Sequence, residues 1–182
     1  WAYEGSVVKM VFWMRKIFAT ISFATVLPAV FETAELLRDT RIFALLKLKK
    51  AHVIPHRLLY SMIVVGIGML VLLLLFPKIF FPLMWVAFFF LLDPINYLRG
   101  EHSIVQHLKD RRLTVPLTLI IAGLICGFFW EFWNYWAVTK WFYQIPYVGF
   151  FKVFEMPLLG YLGYIPFAFE LYAMYHFVLH YV

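Results

Sequence analysis

Apolar residues run through this chain in long blocks, separated by short charged clusters. The cleanest block is 58–76, LLYSMIVVGIGMLVLLLLF, which carries no charge. As a straight helix it would reach roughly 28 Å, at about 1.5 Å per residue, enough to cross the hydrocarbon core of a bilayer. Similar blocks occupy 79–98, 114–136 and 157–182. A further block, 17–37, is interrupted by Pro28, Glu32 and Glu35. The pattern predicts an all-α fold, a polytopic transmembrane helical bundle of about five spans with short interfacial helices. Pro28 predicts a kink in the first span. Asp93 followed by Pro94 predicts a fresh helix start, with Asp93 as its N-cap. Gly160, Gly163 and Pro166 predict irregular first turns in the last span. With no repeat, linker or long polar segment, residues 1–182 read as one integral membrane domain.

Composition sharpens this picture. The chain is 64% hydrophobic and 14% charged, whereas a soluble domain is about half apolar and about a quarter charged. The apolar blocks recur to the last residue, so a secretory signal peptide does not explain them. A chain that begins at Trp1 reads as a fragment, a processed form or an incompletely assigned sequence. The single cysteine, Cys126, allows no intrachain disulfide and reads as a small packing residue.

The net charge of +6 does not call for a nucleic-acid partner, because the basic residues cluster between the spans. Six Lys and Arg lie in 38–57 and four in 99–112, against one (Lys78) and two (Lys140 and Lys152) in the alternate connections. The positive-inside rule therefore places 38–57 and 99–112 in the cytoplasm, with the N-terminus outside and the C-terminus cytoplasmic. Lys9, Arg15 and Lys16 argue the other way at the N-terminal end. The stretch 41–50, RIFALLKLKK, fits either a basic helix on the inner membrane surface or a solvated loop.

Candidate chemistry concentrates in FFWEFWNYW, residues 128–136. On a helix, Gly123, Gly127, Glu131 and Asn134 share one stripe, while Phe129, Phe132, Trp133 and Trp136 fall largely on the other side. The glycines form a GxxxG step that lets another helix approach closely. Glu131 is thereby directed into the bundle near the outer interface, within reach of Asn134, Lys140 or Lys152. Trp130 joins an ordinary interfacial aromatic belt. Glu170 lies midway along the last span, where exposure to lipid costs on the order of 3 kcal/mol. Gly163, Pro166, Glu170 and Phe177 share its stripe, and Gly163 is expected to join Gly123 and Gly127 as a helix-packing glycine. Glu155 is expected to join Glu131 in an outer pocket that Asn134, Trp130 and Tyr164 also border. The reading is that Glu131 and Glu170 border one elongated, aromatic-lined cavity open toward the outer leaflet. His176 and His180 are two metal ligands at most, with His102 and His107 in another loop, so no metal site is expected.

The segments LLDPINYLRGEHSI, CGFFWEFWNYWAVTKWFYQIPYVG and FEMPLLGYLGYIPFAFE together resemble a bacterial multi-pass membrane protein family. The resemblance covers the second half of the chain, implies a bacterial inner membrane, and brings no catalytic residues with it. A fainter analogy is to membrane-embedded lycopene cyclase domains, whose acidic signature is not reproduced here.

Two function classes follow. A binding role is favoured: a protein that holds lipid, isoprenoid or pigment among membrane lipids and serves as an accessory subunit beside other membrane proteins. The alternative is a metal-independent enzyme acting on lipid or isoprenoid. There Glu131 and Glu170 are the catalytic candidates, one carboxyl protonating an alkene and another removing a proton, with aromatic faces stabilising the cation. A small transporter is the weakest reading, because no inverted repeat is visible.

Overall fold

The computed structural model describes residues 12–40, 42–43, 53–138, 140–143 and 151–182, without side-chain detail at 12–16, 18–19 and 22–23. The stretch 41–50, read above as a surface helix or loop, lies almost wholly outside the described residues. Seven helical segments carry the fold: α1 (Phe12–Asp39), α2 (His56–Leu75), α3 (Pro77–Phe80), α4 (Met84–Arg99), α5 (Ile104–Lys109), α6 (Thr114–Trp136) and α7 (Tyr164–Leu179). Short 3-10 turns cover Phe81–Leu83 and Leu158–Gly163. Helices α2, α4, α7, α6 and α1 pack side by side in that order.

Small residues set the close approaches. A Cβ on Gly66 of α2 would sit 2.8 Å from the Leu91 backbone nitrogen and 3.0 Å from the Ala87 carbonyl of α4. The opposite side of α2, with Val64, Ile67, Val71 and Leu74, is exposed and apolar, as expected of a helix that faces hydrocarbon. On the other flank, Val30 and Ala34 of α1 pack with Leu119 and Ala122 of α6 and with Ala168 of α7. Thr33 and Cys126 share a 3.5 Å polar contact across the α1–α6 seam, so the cysteine is a packing residue that also meets a hydroxyl.

Among the described residues, three segments are long and apolar enough to cross a membrane: His56–Leu75, Pro77–Arg99 and Thr114–Trp136. The chain is therefore a helical protein with the attributes of an integral membrane protein. The last expected span is shorter as an α-helix than the apolar block suggested. Helix α7 has 16 residues, and the glycines before it form a six-residue 3-10 helix. Helix α1 runs unbroken through Pro28 for 28 residues.

The Asp93–Pro94 expectation is corrected. Helix α4 continues through Pro94 to Arg99 and ends at Gly100, whose φ of 80° suits a left-handed cap. Asp93 does cap a helix, but a different one. Its two carboxylate oxygens accept from the Ile104 and Val105 amides at 2.7 and 3.0 Å. Ser103 accepts from the Gln106 amide at 3.0 Å. Three otherwise unpaired amides at the start of α5 are thus satisfied from two directions. A fully buried Asn96 ties α4 to α7 by donating to the Ala173 carbonyl at 2.8 Å.

One small β element was not anticipated. Strands β1 (Lys152–Val153) and β2 (Met156–Pro157) form an antiparallel hairpin above the C-terminal end of α6. Phe154 occupies its turn at φ 57°, a region that costs a non-glycine residue about 1–2 kcal/mol. Its ring packs against Phe128, Phe132 and Tyr135 at centroid distances of 5.4, 5.7 and 5.6 Å. That packing offsets the strain and ties the hairpin to α6.

Candidate functional site

The first cluster lies where the C-terminal end of α6 meets the start of α7. Gly127 brings the helices together: a Cβ there would collide with the Tyr164 ring, and one on Gly123 would sit 2.7 Å from the Tyr164 carbonyl. Gly163, expected to be a third packing glycine, has open space around it, because its position in the 3-10 turn faces no neighbour within 4 Å. With Tyr164 pressed onto α6, its hydroxyl donates to Glu131 Oε1 at 2.8 Å. Tyr143 donates to the same oxygen at 2.6 Å and accepts from Trp141 Nε1 at 2.8 Å. Burial, and then the neighbouring Glu131 charge, hold the Tyr143 hydroxyl well above its ordinary pKa, so it remains a donor.

Glu131 is 0% exposed. The expected pairing of Glu131 with Asn134, Lys140 or Lys152 is replaced by the tyrosines. Asn134 instead clamps the connection after α6, accepting from the Trp141 amide and donating to the Trp141 carbonyl, both at 3.0 Å. Lys140 pairs with Glu155 at 2.6 Å, so Glu155 serves an ion pair. Trp130 stacks obliquely with Trp141 at 5.4 Å. Phe129, Phe132, Trp133 and Trp136 are exposed, as the stripe predicted.

Glu170 is 5% exposed, inside the bundle. Its Oε2 is buried without a hydrogen-bond partner, and so is Oε2 of Glu131. The hairpin, the Trp141–Tyr143 segment and Phe154 had no strong sequence signal, because their roles arise from contacts across the chain.

The second cluster lies at the opposite end, around a cleft of about 460 Å³ between α1, α5, α6 and α7. Neither Glu131 nor Glu170 lines it. Leu119 is 12 residues before Glu131 on α6, or roughly 18 Å along the helix at about 1.5 Å per residue. Its lining joins buried Leu119 and half-buried Leu27 and Phe31 to exposed Glu32 and Glu35 and half-buried Arg38, which mark its mouth. Arg38 pairs with Glu35 at 3.1 Å.

Histidines that the sequence kept apart meet here. The His102 ring lies 5.1 Å from His176 and 6.4 Å from His107. His107 Nε2 and the Tyr172 hydroxyl share a 3.0 Å hydrogen bond, and the Tyr172 ring meets His176 edge-on at 4.3 Å. His180 pairs with Glu101 at 2.9 Å. Burial, and then the charge of His102, hold His107 below its ordinary pKa. Asp110 opposes that shift, while Arg112 and Arg38 add to it. His107 is therefore a neutral hydrogen-bonding group at neutral pH. Among the described residues, no group of three or more His, Cys, Asp or Glu side chains is placed to hold a metal ion. The periodicity of Leu27, Phe31, Glu35 and Arg38, at spacings of four, four and three, was a sequence signal for this wall.

No protein-family model matches the sequence, and no curated protein or solved structure matches it either.

Proposed function

We propose that the protein is an integral membrane protein that holds an amphiphile, a lipid or isoprenoid, in the α1–α6–α7 cleft, and that it serves as an accessory component of a membrane assembly. The observation that carries this reading is the gradient along the cleft. Along α1 the lining passes from apolar Leu27 and Phe31 to Glu35 and Arg38, with Leu119 and the histidines contributed by other segments. An amphiphile matches that gradient, whereas a small polar solute would leave the apolar wall without a partner. Helices α1 and α7, the latter with its preceding 3-10 turn, complete five spans in this reading. The mouth then lies on the cytoplasmic side of a bacterial inner membrane, where Arg38, Arg99, Arg111 and Arg112 gather.

Lipid extracted from the purified full-length chain tests the reading. One amphiphile should be retained in about stoichiometric amount, and Leu27→Trp, which fills part of the cleft, should lower retention about fivefold or more in a chain that still unfolds cooperatively. Equal lipid content in parent and variant would rule the cleft out as the binding place.

A second reading, a metal-independent enzyme acting on lipid or isoprenoid, draws on the partnerless buried oxygens of Glu131 and Glu170. It is the weaker one, because Glu131 is enclosed by its tyrosines and neither carboxylate faces the cleft.

A further inference from the structure

The polar groups at the mouth of the cleft narrow the class of amphiphile, an inference that rests on the cleft being the binding place. Two carboxylates, Glu32 and Glu35, line the mouth together with one guanidinium, Arg38. Glu35 already engages Arg38 at 3.1 Å, and Glu32 has no ion-pair partner among the described residues. Phe31 meets Tyr175 edge-on at 5.0 Å and Tyr172 at 6.5 Å, so three aromatic rings line the cleft together with the carboxylates. Aromatic rings beside carboxylates are the chemistry that recognises an alkylammonium group. Arg38, His107 and His176 line the same cleft and offer N–H donors of the kind that bind phosphate oxygens.

A purely anionic headgroup would meet two carboxylates and a guanidinium already engaged. A purely cationic amphiphile would meet Arg38. A headgroup that carries both signs complements the carboxylates and the N–H donors at once, and apolar Leu27, Phe31 and Leu119 account for acyl chains. We infer that the cleft selects a zwitterionic phospholipid, with its ammonium toward Glu32, Glu35 and the three rings and its phosphate toward Arg38 and the histidines.

Native mass spectrometry of the full chain in detergent tests this. The probe is an equimolar mixture of phosphatidylethanolamine, phosphatidylcholine, phosphatidylglycerol and phosphatidic acid with identical acyl chains. The zwitterionic pair should be retained about fivefold or more over the anionic pair. The double substitution E32Q/E35Q, which removes both carboxylates and frees Arg38, should reverse the preference toward phosphatidylglycerol and phosphatidic acid. Glycerophosphocholine added as a soluble competitor should displace little lipid, because it lacks the chains that meet the apolar lining. Displacement by it at low concentration would show that the headgroup alone is the ligand and overturn the phospholipid inference. An anionic preference in the parent, or an unchanged preference in E32Q/E35Q, would also overturn it while leaving an amphiphile in the cleft. Lipid retention that Leu27→Trp leaves untouched would remove the cleft itself, and both conclusions with it.

Discussion

At one end of the bundle, Glu131 takes two tyrosine hydroxyls on a single oxygen, and Asn134 holds both the amide and the carbonyl of Trp141. At the other end, Glu32 and Glu35 project from α1 beside an open cleft, and Glu35 is 64% exposed on its side chain. Both ends combine carboxylates, aromatic rings and one cation. They differ in where the polar groups find partners. The acid–tyrosine cluster turns its hydrogen bonds inward and fastens α6, α7 and the connection between them. The histidine cleft leaves charge at its rim and apolar wall behind. Buried polar groups with internal partners hold a structure in one arrangement, because breaking one partner strands the other. Polar groups at the edge of a cavity lose little when changed and are available to a ligand.

The largest effect that would sharpen this contrast is at Glu131. Glu131→Ala leaves the Tyr143 and Tyr164 hydroxyls without their acceptor, at about 1–3 kcal/mol each. Thermal unfolding in detergent should show a loss of about 3 kcal/mol or more. Glu131→Gln keeps an acceptor oxygen and should lose less. Glu32→Ala at the open end should stay within about 0.5 kcal/mol of the parent. If Glu131→Ala costs no more than Glu32→Ala, the two ends are not built differently.

Next in size is the glycine pair on either side of the α6–α7 junction. Gly127→Leu must displace the Tyr164 ring and with it the hydroxyl on Glu131, at about 2–3 kcal/mol. Gly163→Leu enters open space at a φ of −66° and should change the unfolding free energy by no more than about 0.5 kcal/mol. Equal losses at the two positions would mean that the glycine stripe, and not the tyrosine contact, sets the junction.

These glycines also show what could be read from the chain. Helical spacing alone placed Gly123, Gly127, Glu131 and Asn134 on an inward face, because 3.6-residue periodicity needs no knowledge of partners. The length of the 114–136 helix followed from the apolar run in the same way. Gly163 failed because the same periodicity was carried into a 3-10 turn, where it does not hold. Asp93 was read as a cap of its own helix, since local pattern cannot reveal that its carboxylate reaches the amides of α5. The histidine cleft was hidden for the same reason: His102, His107 and His176 sit on three different segments and converge only in the packed bundle.

The smallest effect expected is a pH dependence at the open end. His107 is held below its ordinary pKa of 6.5 by burial, then by the charge of His102, with Arg112 and Arg38 adding and Asp110 opposing. The unfolded chain therefore takes up a proton at this residue at higher pH than the folded chain does. Its contribution to stability is fully present above the unfolded value and declines as pH falls through it toward the lower folded value. The unfolding midpoint in detergent should thus drop between pH 7 and pH 5.5, on the acid side of about 6.5. His107→Gln cannot titrate and should flatten that decline, with the remaining slope coming from other groups. An acid limb as steep in His107→Gln as in the parent would show that the cleft end does not depend on a neutral His107, and would remove the Tyr172 hydrogen bond from the reasons the open end keeps its shape.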